Sequence, residues 1–298
     1  MSTEITDAFV QQYRSNIIHL SQQDDSRLIN AVNVKENVTG KNVFFDRLGL
    51  QTMVQLTSRH ADTMQQDTPH SRRMASLAPY TVADLIDDPD QIRTLIDPTN
   101  PYAKAQGSAI GRTQDDIIIA AALGSSATGE TGSGSTGILS SINSGAQAVT
   151  IQIGGGGSDA FLNLDKVLAA KRILDSNEVK KSGRYLVYDA IQMEAMLALE
   201  KVTSADYNVI RALVMGEINT YLGFTWIHSE RLTTDANSDT QVIAFQEDAI
   251  GLGIGRLRET RITEESTKNY ATQVWSYLDM GAVRIEDEAV VEIACKPS

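Results

Sequence analysis

The chain has 298 residues, 42% of them hydrophobic, with 26 Lys and Arg against 38 Asp and Glu for a formal charge of −12. That much apolar material builds one large or two moderate domains and excludes wholesale disorder, and the acidic balance argues against a broad basic surface holding nucleic acid, because neutralising phosphates takes clustered Lys and Arg. Cys295 is the single cysteine, which excludes an internal disulfide framework and any multi-thiolate zinc or iron–sulfur site.

The opening MSTEITDAFV lacks the basic and apolar regions of a secretion signal, and the longest apolar run, Ile117 to Leu123, is far short of the ~20 residues of a membrane span. The sequence therefore reads as that of a soluble protein made in a reducing cytosol. Phe9, Val10, Tyr13, Ile17 and Ile18 lie on one face of a short amphipathic helix. Its polar surroundings bury too little to fold alone, which predicts an arm that docks elsewhere. Strand-like runs follow at Asn42 to Phe45 and Thr52 to Leu56. The passage from Leu56 to Met74 is polar and carries Arg59, Arg72 and Arg73, so it predicts a long hairpin reaching away from the body.

Val82, Leu85, Ile86, Ile92, Leu95 and Ile96 predict a short helix and its exit over 82–98. Asn100 and Pro101 open a second helix that nothing interrupts before Gly124, about 36 Å at 1.5 Å per residue, although Gly107 and Gly111 each cost about 1 kcal/mol against Ala. Its second half, Ile117 to Leu123, is apolar all round and predicted buried; its first half is polar and predicted at a surface or interface. The tract GSSATGETGSGSTG reads as a connector, and Ala148 to Ile153 as a strand before the glycines 154–157. Beyond them come a helix behind Asn163, a strand at Tyr185 to Tyr188, a helix capped by Asp189, a helix over 206–216, and strands at Phe224 to Ser229 and Gln241 to Phe245. A long antiparallel strand, Tyr270 to Asp279, is separated by Gly281 from a last one through Val290, Val291 and Ile293.

Little in this text carries chemistry. Gly129 to Thr136 matches the glycine spacing of a phosphate-binding loop but has Ser135 where the lysine belongs, and it follows a helix instead of a strand. The glycines 154–157 could cradle an anion, although four glycines read more simply as a loop. His19, His60, His70 and His228 are scattered without ligand spacing. Asp115 and Asp116 point about 100° apart on a helix, so they read as a cap or an ion pair, not as a catalytic pair. The clusters 87–90 and 286–288 read as solvated turns more simply than as cation sites. No catalytic residue, cofactor or metal is expected.

One order of elements emerges: a docked arm, a protruding hairpin, a long helix, an α/β region and a return strand. It resembles the HK97-like major capsid proteins of tailed bacteriophages, podovirus-type. The resemblance is carried by Asp206-Tyr207, Ala212 to Ile218 and Leu222 to Ser229, by Arg112 to Gly124, and by Ala271 to Val291 around Gly281. It implies an α+β fold with an N-terminal arm (1–37), an extended β-hairpin or E-loop with its flanks (38–80), a peripheral domain (81–154) with a spine helix over 100–124, an α/β axial domain (155–260), and a return into the peripheral domain (261–298).

The same resemblance implies a non-enzymatic shell subunit of the virion capsid, made and assembled in the host cytoplasm. It would form hexamers and pentamers around double-stranded DNA bound without sequence specificity, with no membrane contact. A separate scaffolding protein, a portal protein at one vertex and decoration proteins are the implied partners. Arg59, Arg72, Arg73, Phe9 and Tyr13 are the implied inter-subunit contacts. An encapsulin-type nanocompartment shell and a phosphate-ligand enzyme using the glycine loops are the alternatives.

Overall fold

The computed structural model describes residues 22–55, 57–59, 62, 65–86, 99–136, 147–198, 220–255, 259–268 and 270–297. Phe9, Tyr13 and the helix expected over 206–216 lie outside these residues.

The chain enters through a short strand, β1 (Asn33–Lys35), and a hairpin of β2 (Asn42–Leu48) and β3 (His70–Ser76), and then continues into β4 (Ala78–Ile86). The hairpin is present, but its second strand is not Thr52 to Leu56. Of those residues Thr52 to Gln55 are in no ladder and Leu56 lies outside the described residues, while β2 pairs antiparallel with the polar β3, from Asn42 opposite Ser76 to Leu48 opposite His70. The helix expected from Val82 is corrected to a strand as far as Ile86; an i, i+3, i+4 spacing over five residues fits both periods, and nine residues of pairing with a later strand decide it.

Helix α1 (Thr99–Leu123) stands where the sequence puts it. The Gly/Ser/Thr tract then folds as a hairpin, β5 (Ser126–Thr128) and β6 (Gly134–Thr136), which joins β2 and β3 in a four-stranded sheet. The strand expected over 148–153 shortens to β7 (Ala148–Val149), followed by turns. Helix α2 (Leu164–Ser176) starts at Asn163, whose side chain accepts from the Lys166 amide at 2.9 Å. Then come β8 (Arg184–Tyr188) and α3 (Ala190–Ala198), capped by Asp189 through the Gln192 amide at 2.8 Å. The remaining strands are β9 (Thr220–Tyr221), β10 (Phe224–His228), β11 (Thr240–Gln246), β12 (Ile250–Ile254), β13 (Glu259–Glu265), β14 (Ala271–Arg284) and β15 (Val290–Cys295).

Two larger sheets organise the body. A six-stranded sheet runs β7-β15-β11-β8-β10-β9, and a five-stranded one is gathered around β14. Residues 271–280 of β14 serve β4 and β13, and residues 280–284 serve β12, so its 14 residues hold three neighbours. Gly281 does not break this strand. A Cβ there would lie 2.2 Å from the Ser76 carbonyl oxygen, so the glycine lets the β3–β4 corner cross the strand at contact.

The six-stranded sheet is covered on both faces, which is why β11 and β15 are buried along their whole length. One face packs Leu186, Phe224, Trp226, Val242 and Ile293 against Val167, Leu174 and Met196 of α2 and α3. The other sets Val187, Ile243, Phe245 and Val290 against Leu28, Ile118, Ile119 and Ala122, continuous with Leu252 and Leu278 of the five-stranded sheet. The apolar half of α1 is therefore buried on one side only, since Ala120 is exposed. Its polar half is not wholly superficial either. Gln106 is buried and donates to Asp84 Oδ2 at 2.9 Å and the Val274 carbonyl at 3.0 Å, while the Ser276 hydroxyl donates to it at 2.7 Å.

Candidate functional site

Two polar junctions tie the segments together. At the first, residues 22–28 cross α1, and Gly111 allows it: a Cβ there would stand 2.7 Å from the Ser26 nitrogen. Asp115, fully buried, receives this crossing. Its carboxylate accepts from the Ser26 hydroxyl at 2.6 Å, from the Arg27 and Leu28 amides at 3.1 Å each, and from the Gln23 side-chain amide. Arg112 adds a bond to Gln22 Oε1 at 2.8 Å. Asp116 points the other way and takes both Nε and Nη2 of Arg231. Of the two roles expected for these aspartates, Asp116 makes an ion pair, while Asp115 caps no helix and instead receives the crossing segment.

The second junction is the base of the β2–β3 hairpin. Arg284 is fully buried and donates to the Ala122 and Gly124 carbonyls at 2.8 and 3.1 Å, closing the C-terminal end of α1, and to Asp287 Oδ1 at 2.7 Å. Burial lowers its pKa, and Asp287 opposes that shift. Arg73 shares the carboxylate, 2.9 Å from Oδ2, and donates to the Ile285 carbonyl. The 286–288 cluster does lie in a turn with Glu288 exposed, but Asp287 receives two guanidinium groups, and Glu288 lies 3.7 Å from Arg47.

The three hairpin arginines part company. Arg73 is 5% exposed and committed to its own chain. Arg72 is exposed, pairs with Asp46 at 2.5 Å and lies 5.1 Å over the Phe44 ring; its hydrogen bond holds the Asp46 carboxyl below its ordinary pKa. Arg59 is exposed in the loop beyond. Arg72→Ala should leave the thermal midpoint of the subunit unchanged at moderate salt, because exposed pairs are screened by solvent. A drop comparable to that of a buried-arginine variant would contradict this. Beside the hairpin a groove of about 840 Å³ is lined by Asp46, Leu48, His70, Arg72, Arg73 and Glu130.

Among the described residues no catalytic constellation assembles. The Gly129 to Thr136 tract forms the β5–β6 hairpin, where a Cβ on Gly132 would meet the Met74 methyl at 2.0 Å, so it opens no helix onto a phosphate. Among the described residues no three His, Cys, Asp or Glu side chains gather to hold a metal, and no helix is long and apolar enough to cross a membrane. Burial pushes the Cys295 thiol up to about 12, against the pull of neighbouring Lys166, so it is no nucleophile at neutral pH.

Glu292 is another buried charge-bearing group, one to which no sequence signal points. It accepts from Gln241 at 2.9 Å, and burial raises its pKa. A carboxyl that binds its proton more tightly when folded adds stability that is complete below the unfolded pKa and is lost as pH rises through the folded one. Glu292→Gln should therefore raise the melting temperature at pH 7 and leave it nearly unchanged at pH 4, as scanning calorimetry can check. Destabilisation at pH 7 would mean that the carboxylate is needed ionised.

A family model described as "Phage capsid protein" matches residues 5–297. The fold is shared, at low identity, with solved capsids. The capsid of cyanophage P-SCSP1u is similar with a TM-score of 0.71 and 15% identity, covering 100% of this chain and 96% of that one. The capsid of Ralstonia phage GP4 gives 0.71 and 11%, covering 100% and 98%. The cyanophage Pam1 capsid gives 0.69 and 13%, covering 99% and 98%. No curated protein sequence matches. An HK97-like fold, junctions that fasten residues 22–28 and a hairpin base to one long helix, and a family match over nearly the whole chain lead to one conclusion: the chain belongs to the phage capsid protein family, as a structural subunit of the shell.

Proposed function

We propose that this chain is the subunit that closes, as hexamers and pentamers, into an icosahedral head around double-stranded DNA, and that it has no enzymatic activity. One observation carries the reading. Leu48, Leu50, Met53 and Val54 stand in water on the hairpin and its loop, Leu50 at 95% exposure. A run of large apolar side chains with no core of its own favours burial against something else, at roughly 25 cal/mol per Å². A closed assembly of identical subunits covers it on every copy at once.

In this reading residues 1–37 are the N-terminal arm, with Phe9 and Tyr13 as its apolar anchors, and 38–80 the E-loop and its flanks. Residues 81–154 are the peripheral domain, 155–260 the axial domain and 261–298 the return. Arg59 and Arg72 meet acidic patches on neighbours, weakly one by one and effectively when repeated around a shell. Arg73 contributes by holding the hairpin base. A scaffolding protein, a portal at one vertex and decoration proteins complete assembly in the host cytoplasm. The charge of −12 lets DNA be packed against the inner wall without adhesion, and steeply salt-dependent DNA binding by shells would contradict this.

The hairpin reading is tested by Leu50→Asp combined with Met53→Asp. In sedimentation velocity the variant should remain a folded subunit, with unchanged circular dichroism, under conditions where the parent chain forms shells. Assembly at the parent level would overturn it.

A further inference from the structure

We propose that His228 is a pH-responsive latch on the root of the N-terminal segment, holding residues 22–28 while its ring is neutral and loosening them when the ring takes a proton. Arg27 Nη1 lies 2.8 Å from His228 Nδ1 and donates to the His228 carbonyl at 2.6 Å. A guanidinium has only donors and keeps its proton, so Nδ1 must offer a lone pair. The ring hydrogen then sits on Nε2, which donates to Glu230 Oε1 at 2.7 Å. Glu230 is itself held by the Ala190 amide at 2.8 Å. Protonation at Nδ1 turns the first contact into donor against donor and cation against cation.

The groups facing the ring come from several elements. Arg27 approaches from the N-terminal segment, Tyr188 from β8 with ring centres 5.6 Å apart, Asp189 from the start of α3, and Glu230 from the loop after β10. Arg231 in that loop is already paired with Asp116, while Asp115 holds the backbone on either side of the Arg27 peptide link. Arg27 opposes protonation and Glu230 favours it, so the ring is a point where two anchoring interactions compete. The ring is 39% exposed, so protons reach it freely. The latch is present while the ring is neutral and is lost as falling pH places a proton on Nδ1.

The test is hydrogen exchange of the full chain over residues 22–31 at pH 7.5 and 5.5, corrected for intrinsic exchange rates. Protection should fall about fivefold at the lower pH, the size expected for loss of one hydrogen bond to a charged group partly offset by Glu230. His228→Asn keeps an acceptor where Nδ1 stands but cannot titrate, and should hold the higher protection at both pH values. Arg27→Gln should show low protection at both. No fall in the parent chain, an equal fall in the His228→Asn variant, or a fall that survives Arg27→Gln would each overturn the latch and assign the change to another group, such as Asp189.

Discussion

Asp115→Ala should lower the unfolding free energy of the subunit by about 3 kcal/mol, the cost of leaving backbone N–H groups unpaired in a buried site. The carboxylate is fully buried and is the common acceptor for Ser26, Arg27, Leu28 and Gln23. Without it the Leu28 side chain, a fully buried member of the core on α1, loses the backbone that aims it. Asp115→Asn should recover part of the loss, because one oxygen still accepts while the new amide faces donors. Urea unfolding monitored by tryptophan fluorescence gives the free energies, and hydrogen exchange over 22–31 places the damage. A change under ~0.5 kcal/mol would show that the segment is held by its apolar contacts alone.

Arg284→Met should cost about 4 kcal/mol, in the range for breaking a buried ion pair from one side. The aliphatic replacement fills similar volume, but it strands Asp287 and the Ala122 and Gly124 carbonyls at the end of α1. Arg73 would still neutralise Asp287, which keeps the loss below that of a wholly orphaned carboxylate. Arg284→Lys should fall between the two, since a point charge cannot reach Asp287 and both carbonyls in the manner of a planar fork. The effect should be insensitive to salt because the pair is shielded from ions. An Arg284→Met variant as stable as the parent would mean that packing, not the junction, fixes the hairpin base.

These two residues mark how far the sequence could be read. The long helix was legible because its pattern runs unbroken from Asn100 to Gly124, and the caps at Asn163 and Asp189 were legible because a cap is a local bond between a side chain and an amide three residues on. The buried strands β8, β11 and β15 announced themselves as short apolar runs. Strand β3 did not. HSRRMAS has no apolar alternation, and what makes it a strand is a ladder to β2 with Arg73 turned inward onto Asp287, more than 200 residues away in the chain.

Conversely, Thr52 to Leu56 has the look of a strand, yet Met53 and Val54 are exposed and unladdered. That mismatch between apolar content and burial is what a surface completed by a neighbour leaves in a single chain. In the sequence Asp115 reads as a cap or a pair, not as the anchor of residues 22–28. Its only trace was Gly111, a helix-weakening residue whose purpose appears once the crossing segment is in place.

The central claim, that the exposed hairpin and the anchored segment 22–28 serve closure of a shell of identical copies, is tested most directly by negative-stain electron microscopy of the 298-residue chain, expressed alone and together with a candidate scaffolding protein. Closed particles of uniform diameter in at least one condition are the predicted result. A monodisperse, folded monomer under both would contradict it.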